Sequence, residues 1–382
     1  MSISEGLYTR LKEAIMPLVE IHHLHHLTNW LWIVSGILQS KSVALSQIAV
    51  YLPMETKAEA RITRIRRWLK NSKVEVWSFY RPILEHVLQD WQAQEVRVIL
   101  DGLIVYGGRL QIFRLSLEHG CRALPLGWVV LAGQGLTQVE HLKSMLAQVA
   151  GFLATHVKSV VFLADRGFRD CDWAHLCQEL GWHYDIRLAS NTYVTLADGS
   201  QQPIDQLEVP VGQSRFFQNV KITQAEKLDG HLSVTWSPGK RGEKPELVAV
   251  VSDQPAGQTR LDEYACRMRI EESFRDDQSG GFDLEHTRLE HPERLEKLLL
   301  AVAIATLWCH ELGETVLQNQ ALCDELDPGG KERELSLFQL GLRFLQRCLA
   351  IALHRLPRFK LRLTNLVLAP VRPRLPQAEI CQ

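Results

Sequence analysis

At 382 residues the chain is too long for one small core and predicts two or three domains. Its composition, 46% apolar and 23% charged with a net charge of −1, is that of an ordinary soluble globular protein, so any nucleic-acid binding must come from local basic patches. Eight cysteines without a Cys-x-x-Cys pair or a regular framework point to reduced thiols in a cytosol. Met1 to Arg10 is not a signal peptide. The longest apolar run, Leu298 to Cys309, is too short to span a bilayer and reads as a buried helix, so no membrane partner is expected.

Residues 1–93 read as all-helical. Trp30 to Leu38 is apolar, Ser40 to Tyr51 has helical spacing, and Thr56 is placed to cap a helix over Lys57 to Asn71. That last helix carries Arg61, Arg64, Arg66, Arg67 and Lys70 opposite Ile62, Ile65 and Leu69. A short helix, a turn at Pro53 and a basic helix are compatible with a helix-turn-helix DNA reader, with Arg64 and Arg67 as DNA contacts, and equally with a solvated basic face. His22 and His26, four apart, invite a metal reading, but no Cys or carboxylate completes a four-ligand set nearby.

Val96 to Val105 is a strand pattern with one acid, Asp101, in its middle. A carboxylate in such a run is costly unless it is paired or bound to a metal. Strand patterns follow at Gln111 to Leu117 and Leu124 to Ala132, then a helix over Thr137 to Ala154. The buried strand Ser159 to Ala164 ends at Asp165-Arg166-Gly167-Phe168, which puts Asp165 at a strand's carboxyl end, where α/β proteins place ligand sites. A further helix leads to a strand at Trp182 to Leu188. Between Ala189 and Thr259 the turn signals Asp198-Gly199 and Asp229-Gly230, and strands at Leu232 to Trp236 and Pro245 to Ser252, predict a β-rich insertion. Its loop Ser237 to Lys244 is basic.

The stretch Tyr264 to Gln278 has no Gly or Pro and predicts one helix. At about 100° per residue, Tyr264, Arg267, Glu271 and Gln278 fall within an arc of roughly 60°. The stripe combines an anion for a cation with a fork for a phosphate, though a surface helix with ordinary ion pairs has the same residue types. Glu272 sits about 100° from Glu271 and cannot share its stripe.

Three strands, a helix, a strand with an acid, a helix, a strand and a late acidic helix is the element order of the RNase H-like fold. In that fold three carboxylates hold two divalent cations about 3.5–4 Å apart for in-line attack on a phosphodiester. On Asp101, Asp165-Arg166-Gly167-Phe168 and the final helix, the chain resembles a DDE transposase of bacterial insertion sequences, the IS-four family. The helix fits that family's Tyr-x2-Arg-x3-Glu-x6-Lys signature as Tyr264, Arg267 and Glu271, with Gln278 in place of the Lys.

The resemblance implies an α/β fold. Its parts are a helical N-terminal DNA-binding region (1–93), an RNase H-like core in two parts (94–188 and 259–330), the β-rich insertion (189–258) and a C-terminal helix with a basic arm (331–382). It implies Asp101, Asp165 and Glu271 as catalytic residues and ligands of two Mg²⁺, with Mn²⁺ as a substitute, and Tyr264, Arg267 and Arg166 as phosphate contacts. It implies DNA partners (terminal inverted repeats and target DNA), a homodimer that pairs two ends, a hairpin intermediate, and a bacterial cytoplasmic setting at the nucleoid. In relatives of the family an insertion-domain Trp stacks on a flipped base. Trp236 is the candidate here, and packing on its own sheet is the other reading. The arm, with no acid from His354 to Arg374 and four prolines in Pro357 to Pro376, reads as an extended DNA-binding segment or a disordered tail. Two other functions stay open: a metal-dependent nuclease on the same fold, and a transposase-derived repressor that binds without cutting.

Overall fold

The structure is a computed structural model and describes residues 2–20, 24–135, 138–223, 228–237, 244–329, 333–351 and 353–364. Five helices lead: α1 (Ile3–Ile15), α2 (Leu24–Ser40), α3 (Leu45–Val50), α4 (Ala58–Lys70) and α5 (Val76–Val87). Ser2 and Glu5 close a capping box on α1, each side chain accepting the other's backbone N–H. α2 is buried continuously from Trp30 to Leu38, as a helix apolar on all sides must be. Two expectations are corrected here. The helical spacing from Ser40 yields a helix only from Leu45, because Lys41 takes a left-handed φ of 53° and the Ser40 hydroxyl turns back to the Gly36 carbonyl at 2.7 Å. Thr56 does not cap α4. Lys57 stands at the N-cap without a side-chain bond.

The strands follow: β1 (Glu95–Val105), β2 (Leu110–His119), β3 (Arg122–Ala132), then α6 (Val139–Leu153), β4 (Ser159–Ala164), α7 (Cys171–Glu179) and β5 (His183–Leu188). These stand where the alternation and the apolar runs predict them. Next come β6 (Tyr193–Thr195), β7 (Gln201–Pro203), β8 (Ser214–Ile222), β9 (Leu228–Ser237) and β10 (Glu246–Ser252). All ten form one mixed sheet in the order β3-β2-β1-β4-β5-β10-β9-β8-β6-β7. β1 runs parallel to β4 and β4 to β5, with α6 and α7 as the crossovers that parallel neighbours require. β10 joins antiparallel to β5, so the strands after residue 189 continue the core sheet by hydrogen bonding.

The chain closes with α8 (Gln258–Ala265), α9 (Met268–Asp277), α10 (Pro292–Leu317), α11 (Gln320–Leu326) and α12 (Leu337–Ile351). α10 is buried along nearly its whole length, and among the described residues no helix is long and apolar enough to cross a membrane. α10 and α12 meet backbone to backbone: a Cβ at Gly341 would lie 1.7 Å from the Cys309 carbonyl oxygen. Gly341→Ala is therefore expected to push the two helices apart and cost about 1–3 kcal/mol, read as a lower urea midpoint. An unchanged midpoint would contradict this packing.

Beyond α12 the chain is extended but docked. Glu311 on α10 accepts the backbone N–H groups of Lys360 (2.7 Å) and Arg362 (3.2 Å), and Glu314 accepts that of Thr364 (3.1 Å). Leu356, Phe359, Leu361 and Leu363 are buried beside them. Arg355 pairs with Glu325 at 2.9 Å. Arg372, Arg374 and the prolines after Thr364 lie outside the described residues, as do His22 and most of the basic loop at 237–244.

Candidate active site

Asp101 lies within β1 between Ile99 and Leu103, which belong to the apolar cluster that α9 covers with Ile270 and Phe274. Alternation therefore turns Asp101 to the α9 side of the sheet. In the parallel register Leu100 is opposite Ala164, so Asp101 and Asp165 are the next residues along neighbouring strands. Asp165 caps the 3₁₀ turn Arg166–Phe168, its Oδ1 accepting the Gly167 N–H at 2.6 Å. Glu271 comes from the first turn of α9.

Arg267 joins two of these three acids. It is 5% exposed; its Nη1 lies 3.0 Å from Asp101 Oδ2 and its Nη2 lies 2.7 Å from Glu271 Oε1. Burial pushes the Asp101 carboxyl up to about 6. Arg267 and the Gly102 N–H pull it back, and the like charges of Asp165 and Glu271 push it further up. Asp101 therefore feels the charge of both other acids.

A ladder of ion pairs seats α8 and α9 on the sheet. Asp277 pairs with Arg114 of β2, both nearly fully buried, with the guanidinium 4.4 Å from the Phe274 ring centroid. Asp276 pairs with Arg122 of β3 at 2.8 Å, Ser273 Oγ accepts the Ala123 N–H at 2.8 Å, Arg269 pairs with Glu118, and Arg97 reaches Glu263 at 3.1 Å. The missed signal was Arg114, a cation inside the alternating strand Gln111 to Leu117, which demands a buried partner.

The single helix expected from Tyr264 to Gln278 is corrected. The chain forms α8 and α9, joined by i→i−3 bonds such as Arg267 N to Tyr264 O at 2.9 Å. Arg267 and Glu271 stay together as an i,i+4 pair at the start of α9. Gln278 ends α9 at ψ −130° and its Nε2 donates to Glu285 at 2.9 Å, so its side chain is engaged away from Glu271. Glu272 pairs with Arg275 at 2.9 Å.

Tyr264 is buried beside Arg187 and Arg267. Arg166 (3.1 Å) and Arg187 (2.6 Å) both bind Glu246 of β10. Arg166, Arg187, Glu246 and Trp236 line a cavity of about 700 Å³. Trp236 Nε1 donates to the Val209 carbonyl at 2.9 Å, so the ring is fixed in the cavity wall. On α4, Arg64 is half-buried with its Nε on Asn29 Oδ1 at 2.6 Å, whereas Arg67 and Lys70 are exposed.

Next to this site, Asp185 on β5 is fully buried, with Arg260 at 3.9 Å. Burial pushes its carboxyl up to about 7, against the pull of Arg260. Its folded pKa thus lies above the unfolded one, so its contribution to stability falls as pH rises from about 4 to about 7. Asp185→Asn is expected to gain in melting temperature relative to the parent across that window, most at its upper end. A constant difference at every pH would contradict this.

Whether a divalent metal fits is a question of donor chemistry. Among the described residues no group of three or more His, Cys, Asp or Glu side chains is set to hold a metal ion, and Arg267 stands between two of the acids. The donor set is three carboxylates, the hard oxygen ligands that Mg²⁺ takes, around a half-buried Asp101 that calls for positive charge. By chemistry the three carboxylates suit the ion, but as placed they form no metal-holding group while Arg267 sits between Asp101 and Glu271. At the other candidate, His26 Nε2 lies 3.0 Å from Asn71 Nδ2.

Residues 134–308 match the family described as "Transposase DDE domain", a span that includes Asp165, Tyr264, Arg267 and Glu271 and leaves out Asp101. No curated protein matches the chain. Among solved structures the chain is similar to one described as "Cryo-EM structure of piggyBac transposase synaptic complex with hairpin DNA (SNHP)", at 10% identity and a TM-score of 0.44, over 94% of this chain and 82% of that chain.

Proposed function

We propose that the chain is a cut-and-paste DNA transposase of the IS-four kind, with Asp101, Asp165 and Glu271 as its metal-holding catalytic acids. The observation that carries it is the convergence of Asp101 and Asp165, from adjacent parallel strands, with Glu271 across Arg267. The strand order β3-β2-β1-β4-β5, with α9 across β1 and β4, supports an RNase H-like core, and the domain match over 134–308 supports the transposase class.

Bound by these acids, Mg²⁺ would supply charge to activate the attacking water or 3′-hydroxyl and to stabilise the leaving oxygen. The chain's own residues position the DNA. Arg267, freed from Asp101 and Glu271, offers its planar fork to a phosphate, and Arg166 and Tyr264 flank it. Residues 1–93 bind the terminal inverted repeats, with the exposed Arg67 and Lys70 rather than the engaged Arg64 as backbone contacts. The arm after residue 364 adds positive charge. A dimer pairs two ends, and a hairpin forms on the excised end. In this reading 94–188 and 259–330 make the core, 189–258 its insertion and 331–382 the C-terminal part.

The test uses the full chain, Mg²⁺, a supercoiled plasmid and a duplex of the DNA flanking the coding segment, pre-cut to expose a 3′-hydroxyl. Covalent joining of the duplex to the plasmid is expected. Cutting without joining would make the chain a nuclease, and binding without either would make it a repressor.

A further inference from the structure

A groove of about 560 Å³ lies between α3 and α4 on one side and the segment 286–294 on the other. Arg66, Arg288 and Arg294 line it over an apolar floor that includes Leu45, Ile62 and Leu289. Its one lining acid, Glu290, pairs with Arg109 at 3.0 Å and is outnumbered by the three arginines. Arg66 pairs with Glu59, but both are largely exposed, so that pair holds the guanidinium weakly. Arg288 and Arg294 have no ion pair among the described residues. The positive end of α10 opens here too, with His291 at its N-cap.

The wall is built to keep this shape. Asp283 and Arg288, both at left-handed φ (56° and 53°), bracket the 3₁₀ turn Leu284–Thr287. Non-glycine residues stay in that region only where their surroundings hold them. Here Tyr106, the residue after β1, donates to the Leu284 carbonyl at 3.3 Å, and Gln278 at the end of α9 donates to Glu285. The two elements that carry Asp101 and Glu271 therefore hold the groove wall as well. The opposite wall is α4, whose Arg67 and Lys70 continue the positive surface.

We propose that this groove docks the sugar-phosphate backbone of duplex DNA, with Arg288 and Arg294 on its phosphates, and so connects α4 to the catalytic acids. The proposal rests on the transposase reading and adds to it a binding track outside the acid site. Phosphate contacts position a duplex without reading its sequence, so a duplex of mixed sequence is a sufficient probe.

The experiment is fluorescence anisotropy of a fluorescein-labelled mixed-sequence duplex with the full chain, titrated at several salt concentrations. Arg288→Gln with Arg294→Gln is expected to make the negative slope of log K against log salt shallower by about 1.8, about 0.9 per lost contact. Lys12→Gln with Lys143→Gln, which removes the same charge from α1 and α6, is expected to leave the slope unchanged. Equal slopes in the groove variant and the parent would overturn the groove and spare the function. A parent that binds no duplex would overturn both. Phenylglyoxal labelling of the unmutated chain gives a second measurement that needs no variant: DNA should protect Arg288 and Arg294, and absence of protection would overturn the groove.

Discussion

Asp101→Asn, Asp165→Asn and Glu271→Gln are each expected to lose Mg²⁺-dependent phosphodiester cleavage by about 10³-fold or more while binding DNA nearly as the parent does. Each change keeps the shape and removes one charged oxygen donor. Metal charge stabilisation is worth several kcal/mol, and each 1.36 kcal/mol is about tenfold in rate. Glu272→Gln is the control, because Glu272 is already occupied by Arg275. Cleavage by any of the three near the parent's rate removes that residue from the site. A dead Glu272→Gln beside an active Glu271→Gln shifts the working acid by one residue. Gel shifts and cleavage time courses on the same samples separate binding from chemistry.

The largest expected loss of stability comes from breaking the Arg114–Asp277 pair. Both side chains are almost completely buried, so Asp277→Ala leaves a buried guanidinium against the Phe274 ring without its paired carboxylate. The cost is expected to be about 3–5 kcal/mol by urea denaturation. Arg114→Met combined with Asp277→Leu should recover most of it, since the desolvation cost of both charges disappears together. A loss below about 1 kcal/mol for Asp277→Ala, the range of an exposed pair, would contradict the burial. The pair also has a functional consequence. It anchors the end of α9, and α9 carries Glu271, so a loosened helix should lower cleavage in the folded fraction as well.

Much of this was legible in the residues. The alternation and apolar runs marked β1 to β5 because a half-buried or fully buried strand leaves a period that survives in one dimension. Asp101 was legible as an acid out of place in such a run, and Asp165 as an acid at a strand end. What escaped was set by partners distant in sequence. The α8–α9 step cannot be seen in a stretch without Gly or Pro. It is recorded only in i→i−3 bonds; the end of α9 at Asp277, also unmarked, is what leaves Gln278 off the stripe. Arg64 looks as basic as Arg67 on a helical wheel, yet Asn29 on α2 engages one and leaves the other exposed. Asp276 and Asp277 read as a solvated helix end until β2 and β3 bring up Arg114 and Arg122. The strands after residue 189 looked like a separate β-rich unit, because nothing local announces that β10 pairs with β5.

The most direct measurement of the central claim, that these acids hold the metal for phosphodiester chemistry, is cleavage of duplex DNA by Asp165→Cys in Mg²⁺ and in Mn²⁺. A thiolate is a poor ligand for Mg²⁺ and a better one for Mn²⁺, the softer of the two ions. A variant silent in Mg²⁺ and restored in Mn²⁺ is the predicted result. Cleavage in Mg²⁺ as fast as the parent's would contradict it.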